Sequence, residues 1–258
     1  MNMTKKMLVA GAMAAVFSVS GQLVCTDGQN PFVVQRAEAF GLGDVGKSLG
    51  KAALSKALNV DVDSLQGKKD GMVLNLSRAA IAYGKAAINV SAALGMDDGQ
   101  RAKMQAALNN LNNDKTNLGY IKQVGEATKM DENEIKSKAD ALLNEEDKAK
   151  VEQADNLIKE AKVERQYANK YKLLATRDAG MIISSTVKAL AKSDSLGDKI
   201  TAVKNLSEAA KTGKSLADLI GQNHKTMTTA LKDYEKKRGI KEVSEEEAEK
   251  QMKSKGLE

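Results

Sequence analysis

Apolar residues recurring at intervals of three and four divide most of the chain into helices. Val73, Leu76, Ala80, Tyr83, Ala87, Val90 and Leu94 fall on one face of a helix that the pattern starts near Asp70 and stops at Gly95. Asp97 followed by Gln100 resembles a capping box and opens a helix using Met104, Ala107, Leu108 and Leu111. The Asn-rich run from Asn109 to Asp114 reads as a turn. A shorter helix around Leu118, Ile121 and Val124 follows, weakened by Gly119 and Gly125. Asp131 with Glu134 forms a second capping box, leading into Ile135, Ala139, Leu142 and Leu143.

From Asn144 to about Lys192 there is no strong breaker. Val151, Ala154, Ile158, Ala161, Ala168, Ala175, Ala179, Ile182 and Leu190 make a narrow stripe of mostly small residues, so the segment is one very long helix or two in line. Unbroken, it would span about 75 Å. Ser193-Asp194-Ser195 punctuates the chain, and a last long helix runs from Leu196 to about Arg238. Its stripe is Leu196, Ile200, Val203, Ala210, Ala217, Ile220, His224, Met227, Leu231 and Tyr234. After Gly239 apolar residues become scarce, and Ser244-Glu245-Glu246-Glu247 opens a short terminal helix expected to be solvated or frayed.

The only proline is Pro31, and the long remainder is rich in Ala, Leu, Lys and Glu, which favour helix at nearly every position. No alternating runs of β-branched and aromatic residues mark strands. The fold class is therefore all-α, an elongated helical bundle with two long helices and several shorter ones over residues 40–238, followed by a charged C-terminal tail, 239–258. One internal likeness stands out. Asn75-Leu76-Ser77-Arg78-Ala79-Ala80 with Gly84-Lys85 beyond resembles Asn205-Leu206-Ser207-Glu208-Ala209-Ala210 with Gly213-Lys214 beyond, apart from one residue of spacing. A duplicated hairpin and chance in an Ala-, Lys- and Leu-rich chain explain it equally well.

Residues 1–39 differ in kind and read as a signal peptide. Lys5 and Lys6 form a basic start, and Met7 to Phe17 is an apolar run of the length expected for a signal core. Two cleavage sites compete, Ser18-Val19-Ser20 and Ala37-Glu38-Ala39; composition favours the second, because no Pro, Cys or further Phe occurs after Phe40. Cys25 follows Gln22-Leu23-Val24, which puts Val where a lipoprotein signal wants a small residue. Cleavage after Ala39 removes three basic and two acidic residues and leaves a net charge of +5. That permits contact with an anionic membrane surface without demanding it.

Composition removes several classes of chemistry. A single cysteine excludes a disulfide framework and a thiolate zinc cage, and one histidine excludes a His-rich metal site. Gly41-Leu42-Gly43-Asp44-Val45-Gly46-Lys47-Ser48 matches the phosphate-loop pattern, but Gln35 to Phe40 is no buried strand and no later strand supplies a metal-holding acid. The segment reads as a glycine-rich lead into a helix at Lys47 to Leu58. His224 stands between Ile220 and Met227 on an apolar stripe, as a half-buried interface residue rather than a general base. The acids Asp97-Asp98, Glu145-Glu146-Asp147 and Glu245-Glu246-Glu247 fall at helix starts, where capping accounts for them. Lysines alternate with acids, as in Glu160-Ala161-Lys162-Val163-Glu164-Arg165, which reads as a solvated ion-pair surface rather than a nucleic-acid face.

These readings name no catalytic, cofactor-binding or metal residue, and no cofactor. They point to a secreted or periplasmic bacterial protein that is not an enzyme and that acts by surface contact, as a structural or binding component of the cell envelope. Its expected partner is a protein or envelope polymer and not nucleic acid; alanine stripes suit close helix contacts within one chain or in a homo-oligomer. The competing class is a membrane-active protein whose amphipathic helices lie on or insert into lipid.

Overall fold

The computed structural model describes residues 61–190 and 197–257. The signal-like stretch, its cleavage sites and the Gly41–Ser48 segment lie outside the described residues, as do the side chains of Leu190, Leu196 and Ile200. The described residues form an all-α bundle with no strand, of seven helices: α1 Val62–Ala93, α2 Asp98–Asn113, α3 Leu118–Ala127, α4 Glu132–Leu143, α5 Lys148–Leu190, α6 Gly197–Lys237 and α7 Glu245–Ser254.

Local chemistry sets most boundaries. Side-chain oxygens of Asp61, Asp97, Asn117, Asp131 and Ser244 accept backbone N–H bonds at the starts of α1, α2, α3, α4 and α7. Asp147 does the same for Ala149 and Lys150 at the start of α5. The Asp97 box is only half formed, because the Gln100 side chain donates to the Lys129 carbonyl at 3.1 Å and ties α2 to the end of α3. Gly95 and Gly239 take positive φ where α1 and α6 stop, the left-handed step that ends a helix without a Cβ clash.

Two boundaries differ from the sequence pattern, and one open alternative is decided. α1 begins eight residues before Asp70, at the Asp61 cap. α2 runs through the Asn-rich stretch to Asn113, because Leu108 and Leu111 are buried and tertiary packing outweighs the weak helix preference of Asn. The segment expected as one helix or two is one: 43 residues without interruption, about 65 Å at the α-helical rise.

α1, α5 and α6 form the core. α1 runs antiparallel to α5: Asn75 pairs with Asp178, Arg78 lies over the Tyr171 ring and Asn89 pairs with Glu164. α6 is antiparallel to α5 as well, with Arg165 bonded to Thr228 and Asp155 to Tyr234 and Arg238. α2, α3 and α4 pack around α1 and α6, and α7 packs on α5.

α1 is more than amphipathic. Every residue from Ala79 to Gly84 is buried, so the single face read from Val73, Leu76, Ala80, Tyr83, Ala87, Val90 and Leu94 is only part of its contact surface. Small residues make this enclosure close. A Cβ at Gly84 would stand 2.6 Å from the nearest Leu108 methyl of α2, and one at Gly213 would stand 2.5 Å from Met72 Sδ of α1. Gly84 and Gly213 are the matching glycines of the two similar segments, and both mark close helix crossings. In the same segments Leu76, Ser77 and Ala80 on α1 and Leu206, Ser207 and Ala210 on α6 are all buried.

The terminal segment is not solvated. Ile240, Ala248, Met252 and Leu257 belong to the core cluster, and α7 lies along α5. Apolar residues at Ala248 and Met252, one helical turn apart, are enough to seat a ten-residue helix whose remaining positions are charged or polar.

Candidate functional site

The strongest concentration of chemistry in the described residues is the middle of α5, where charge is buried. All five residues from Ala161 to Arg165 are enclosed, among them Lys162, Glu164 and Arg165. This corrects the solvated ion-pair surface that alternation of acids and lysines suggests. Helices α1 and α6 and the segment after α6 cover α5 from different sides, so side chains pointing in every direction meet protein.

On the α6 side, Arg165 forms an ion pair with Glu235 and donates to Thr228 Oγ1 at 3.1 Å. Lys162 Nζ lies 2.9 Å from Glu235 and 2.8 Å from Glu242, so Glu235 bridges two cations. Burial works against the Lys162 ammonium, but its bonds to Glu242 and Glu235 outweigh it and raise its pKa. Two turns toward the start of α5, Asp155 accepts from the Tyr234 hydroxyl at 2.8 Å and from Arg238 at 2.6 Å. Burial opposes its charge, while these bonds hold the carboxyl below its ordinary range. Tyr83 of α1 is sealed, and burial raises its phenol pKa against the opposing influence of Arg165.

On the other side lies Glu164, 2% exposed, with Asn89 Nδ2 of α1 donating to it at 2.9 Å. Burial, and then repulsion from Glu160, push its carboxyl up to about 7. Beyond it Tyr167 and Tyr171 stack with ring centroids 4.5 Å apart, and the Arg78 guanidinium sits 5.2 Å from the Tyr171 centroid.

His224 is half-buried on α6, as its stripe position suggests. Burial, with Arg165 and Lys172 nearby, lowers its pKa to about 4, so the imidazole is neutral at ordinary pH. A hydrogen bond to the Arg165 backbone opposes this shift without overcoming it, and the charged side chains acting on the imidazole are the cations Arg165 and Lys172. Among the described residues no group of three or more His, Cys, Asp and Glu side chains could hold a metal ion, and no helix is long and apolar enough to cross a membrane. The capping acids Asp97, Asp131 and Asp147 occupy the helix starts that their sequence positions indicate.

The arrangement is suited to fixing helix register. A carboxylate shared between two buried cations is satisfied at one alignment of α5 and α6, and a shift of either helix leaves unpaired charge behind. No protein-family model, curated protein or solved structure matches this chain.

Proposed function

We propose that the protein is an exported component of a bacterial cell envelope that acts through the outer faces of its long helices on a protein or envelope-polymer partner, and not as an enzyme. The observation that carries this reading is where the bundle leaves apolar surface open. Leu173 and Val187 on α5 are 52% and 55% exposed, and Leu74 on α1 is 41% exposed. Leu173, Arg177, Gly180, Ser184 and Val187 are all exposed at intervals of three and four, forming one stripe of α5 that carries a single charge. Elsewhere the bundle buries even charged side chains, so large aliphatic groups left open along one helix mark a contact surface.

The basic start at Lys5 and Lys6, the apolar Met7–Phe17 run and the Ala37-Glu38-Ala39 site support export. The test is fractionation of the native host, with mass determination of the exported N-terminus and co-purification of the partner. A mature chain beginning at Phe40, bound to an envelope component that Leu173→Glu with Val187→Glu releases, supports the proposal. Retention in the cytoplasm removes the localisation. Release of dye from anionic vesicles by the purified protein replaces surface contact with membrane activity.

A further inference from the structure

The chain after α6 crosses back over α5 and is held there by four buried apolar side chains, Ile240, Ala248, Met252 and Leu257, together with a set of ion pairs. Its contacts form a ladder along one helix: Arg238 to Asp155, Glu242 to Lys162, Glu249 to Lys170, and Lys255 to Glu160. The Tyr167 hydroxyl donates to the Leu257 carbonyl at 3.2 Å. Two features make this segment separable from the bundle. α7 has ten residues, fewer than an isolated helix of about 12 to 15 needs to be even marginally stable in water. Within α7 only Ala248 and Met252 are buried, so its apolar anchorage is small and the Lys170–Glu249 ion pair adds to it.

Glu164 lies between the two points on α5 at which the end of this segment is held. Residues 160, 164, 167 and 171 share one face of α5 by their three- and four-residue spacing. The strap is fastened on both sides of Glu164, by Lys255 at Glu160 and by Leu257 at Tyr167. The charged and polar groups facing Glu164 are Asn89 and Lys85 on α1, Glu160 on its own helix, and Lys255 on the strap.

We propose that residues 239–257 are a releasable strap, undocked from α5 when the enclosed Glu164 carboxyl becomes charged, and that release uncovers the Tyr167–Tyr171 face. Glu164 in its neutral form fits a site with one amide donor. In its charged form it needs more donors than Asn89 supplies, and lifting Lys255–Leu257 admits water to it. Lys85 and Lys255 favour the charge, but burial and Glu160 outweigh them. With the strap lifted the carboxyl returns toward its ordinary range, so deprotonation favours the open form. The open population then rises with pH, by up to tenfold per unit between the open-form and closed-form titrations. High salt acts in the same direction by weakening the ladder.

The test is hydrogen–deuterium exchange on the full chain between pH 5 and pH 8, read as protection factors so that intrinsic exchange chemistry divides out. Protection of the Ala248–Leu257 amides is expected to fall about tenfold or more across this range while the α1 amides keep theirs. Glu164→Gln, neutral at every pH, should hold the strap at its acid-side protection throughout. Lys85→Gln, which removes a cation that favours the charged form, should move the fall to higher pH. Equal protection at pH 5 and pH 8 in the parent chain, the same fall in Glu164→Gln, or an unmoved midpoint in Lys85→Gln would each overturn the proposal.

Discussion

Lys162 Nζ of α5 lies 2.9 Å from Glu235 Oε2 of α6, and each side chain is less than a tenth exposed. Arg165 holds the other oxygen of the same carboxylate. Neutralising the carboxylate therefore leaves two enclosed cations without their shared counter-ion. Glu235→Gln should destabilise the fold by roughly 3 to 5 kcal/mol, the cost of breaking rather than replacing a buried pair. Urea denaturation followed by far-UV circular dichroism measures it, and a loss under about 1 kcal/mol would mean that water reaches the pair.

Glu164 and His224 should give opposite pH dependences. Burial raises the Glu164 carboxyl to about 7, so the stability of its neutral form is present in full below its ordinary value of 4.5 and is lost as pH rises through 7. Burial lowers His224 to about 4, so its contribution is present above its ordinary value of 6.5 and is lost as pH falls through 4. Between those limits the two effects offset each other. Glu164→Gln should gain stability over the parent chain as pH rises from 5 to 8, and His224→Gln should gain it as pH falls from 7 to 4. Denaturation midpoints of both variants at each pH check the slopes.

Gly84→Ala tests how close the helices must come. In an open helix this change gains about 1 kcal/mol from propensity alone. Here the new Cβ would lie 2.6 Å and 3.2 Å from the two Leu108 methyls and 3.0 Å from their branch carbon, so no rotation of one methyl clears it. A net loss of about 1 to 3 kcal/mol is expected, seen as a lower melting temperature. Gly67→Ala, with nothing within 4 Å of the added carbon, should instead raise it.

The Gly41–Ser48 segment should bind no nucleotide, because its sequence neighbours provide neither the strand nor the metal-holding acid that such a loop needs. Calorimetry with ATP and Mg²⁺ on the purified chain should show no saturable heat. Binding that Lys47→Ala abolishes would reverse this expectation.

Helix class, number and most starts are written in the sequence, because Asp97, Asp131 and the Ser244 segment signal their caps within four residues and without reference to the rest of the chain. What tertiary enclosure decides is not. Alanines at 79, 82 and 86 carry little weight in a periodicity and gave α1 one face where it has several. Lys162, Glu164 and Arg165 look like surface by residue type. The available signal was their setting, with Ala161, Val163, Tyr167 and Ala168 among them, which leaves that turn of α5 no uniformly polar side. The terminal helix is legible from its Ser244 cap but its burial is not, for a related reason: Ile240, Ala248, Met252 and Leu257 are too few to stand out in the pattern, yet each is buried.

The pairing of α1 with α5 also governs the order in which the chain can fold. Asn75 and Asp178 are separated by 103 positions, and Tyr167 and Leu257 by 90. Most helical bundles assemble from neighbours in sequence and fold fast; here the central helix must wait for a distant one, which slows the search. A nascent or truncated chain that stops before Lys148 carries α1 with its alanine-lined sides bare, and such a product is exposed to aggregation and proteolysis until α5 arrives to enclose it.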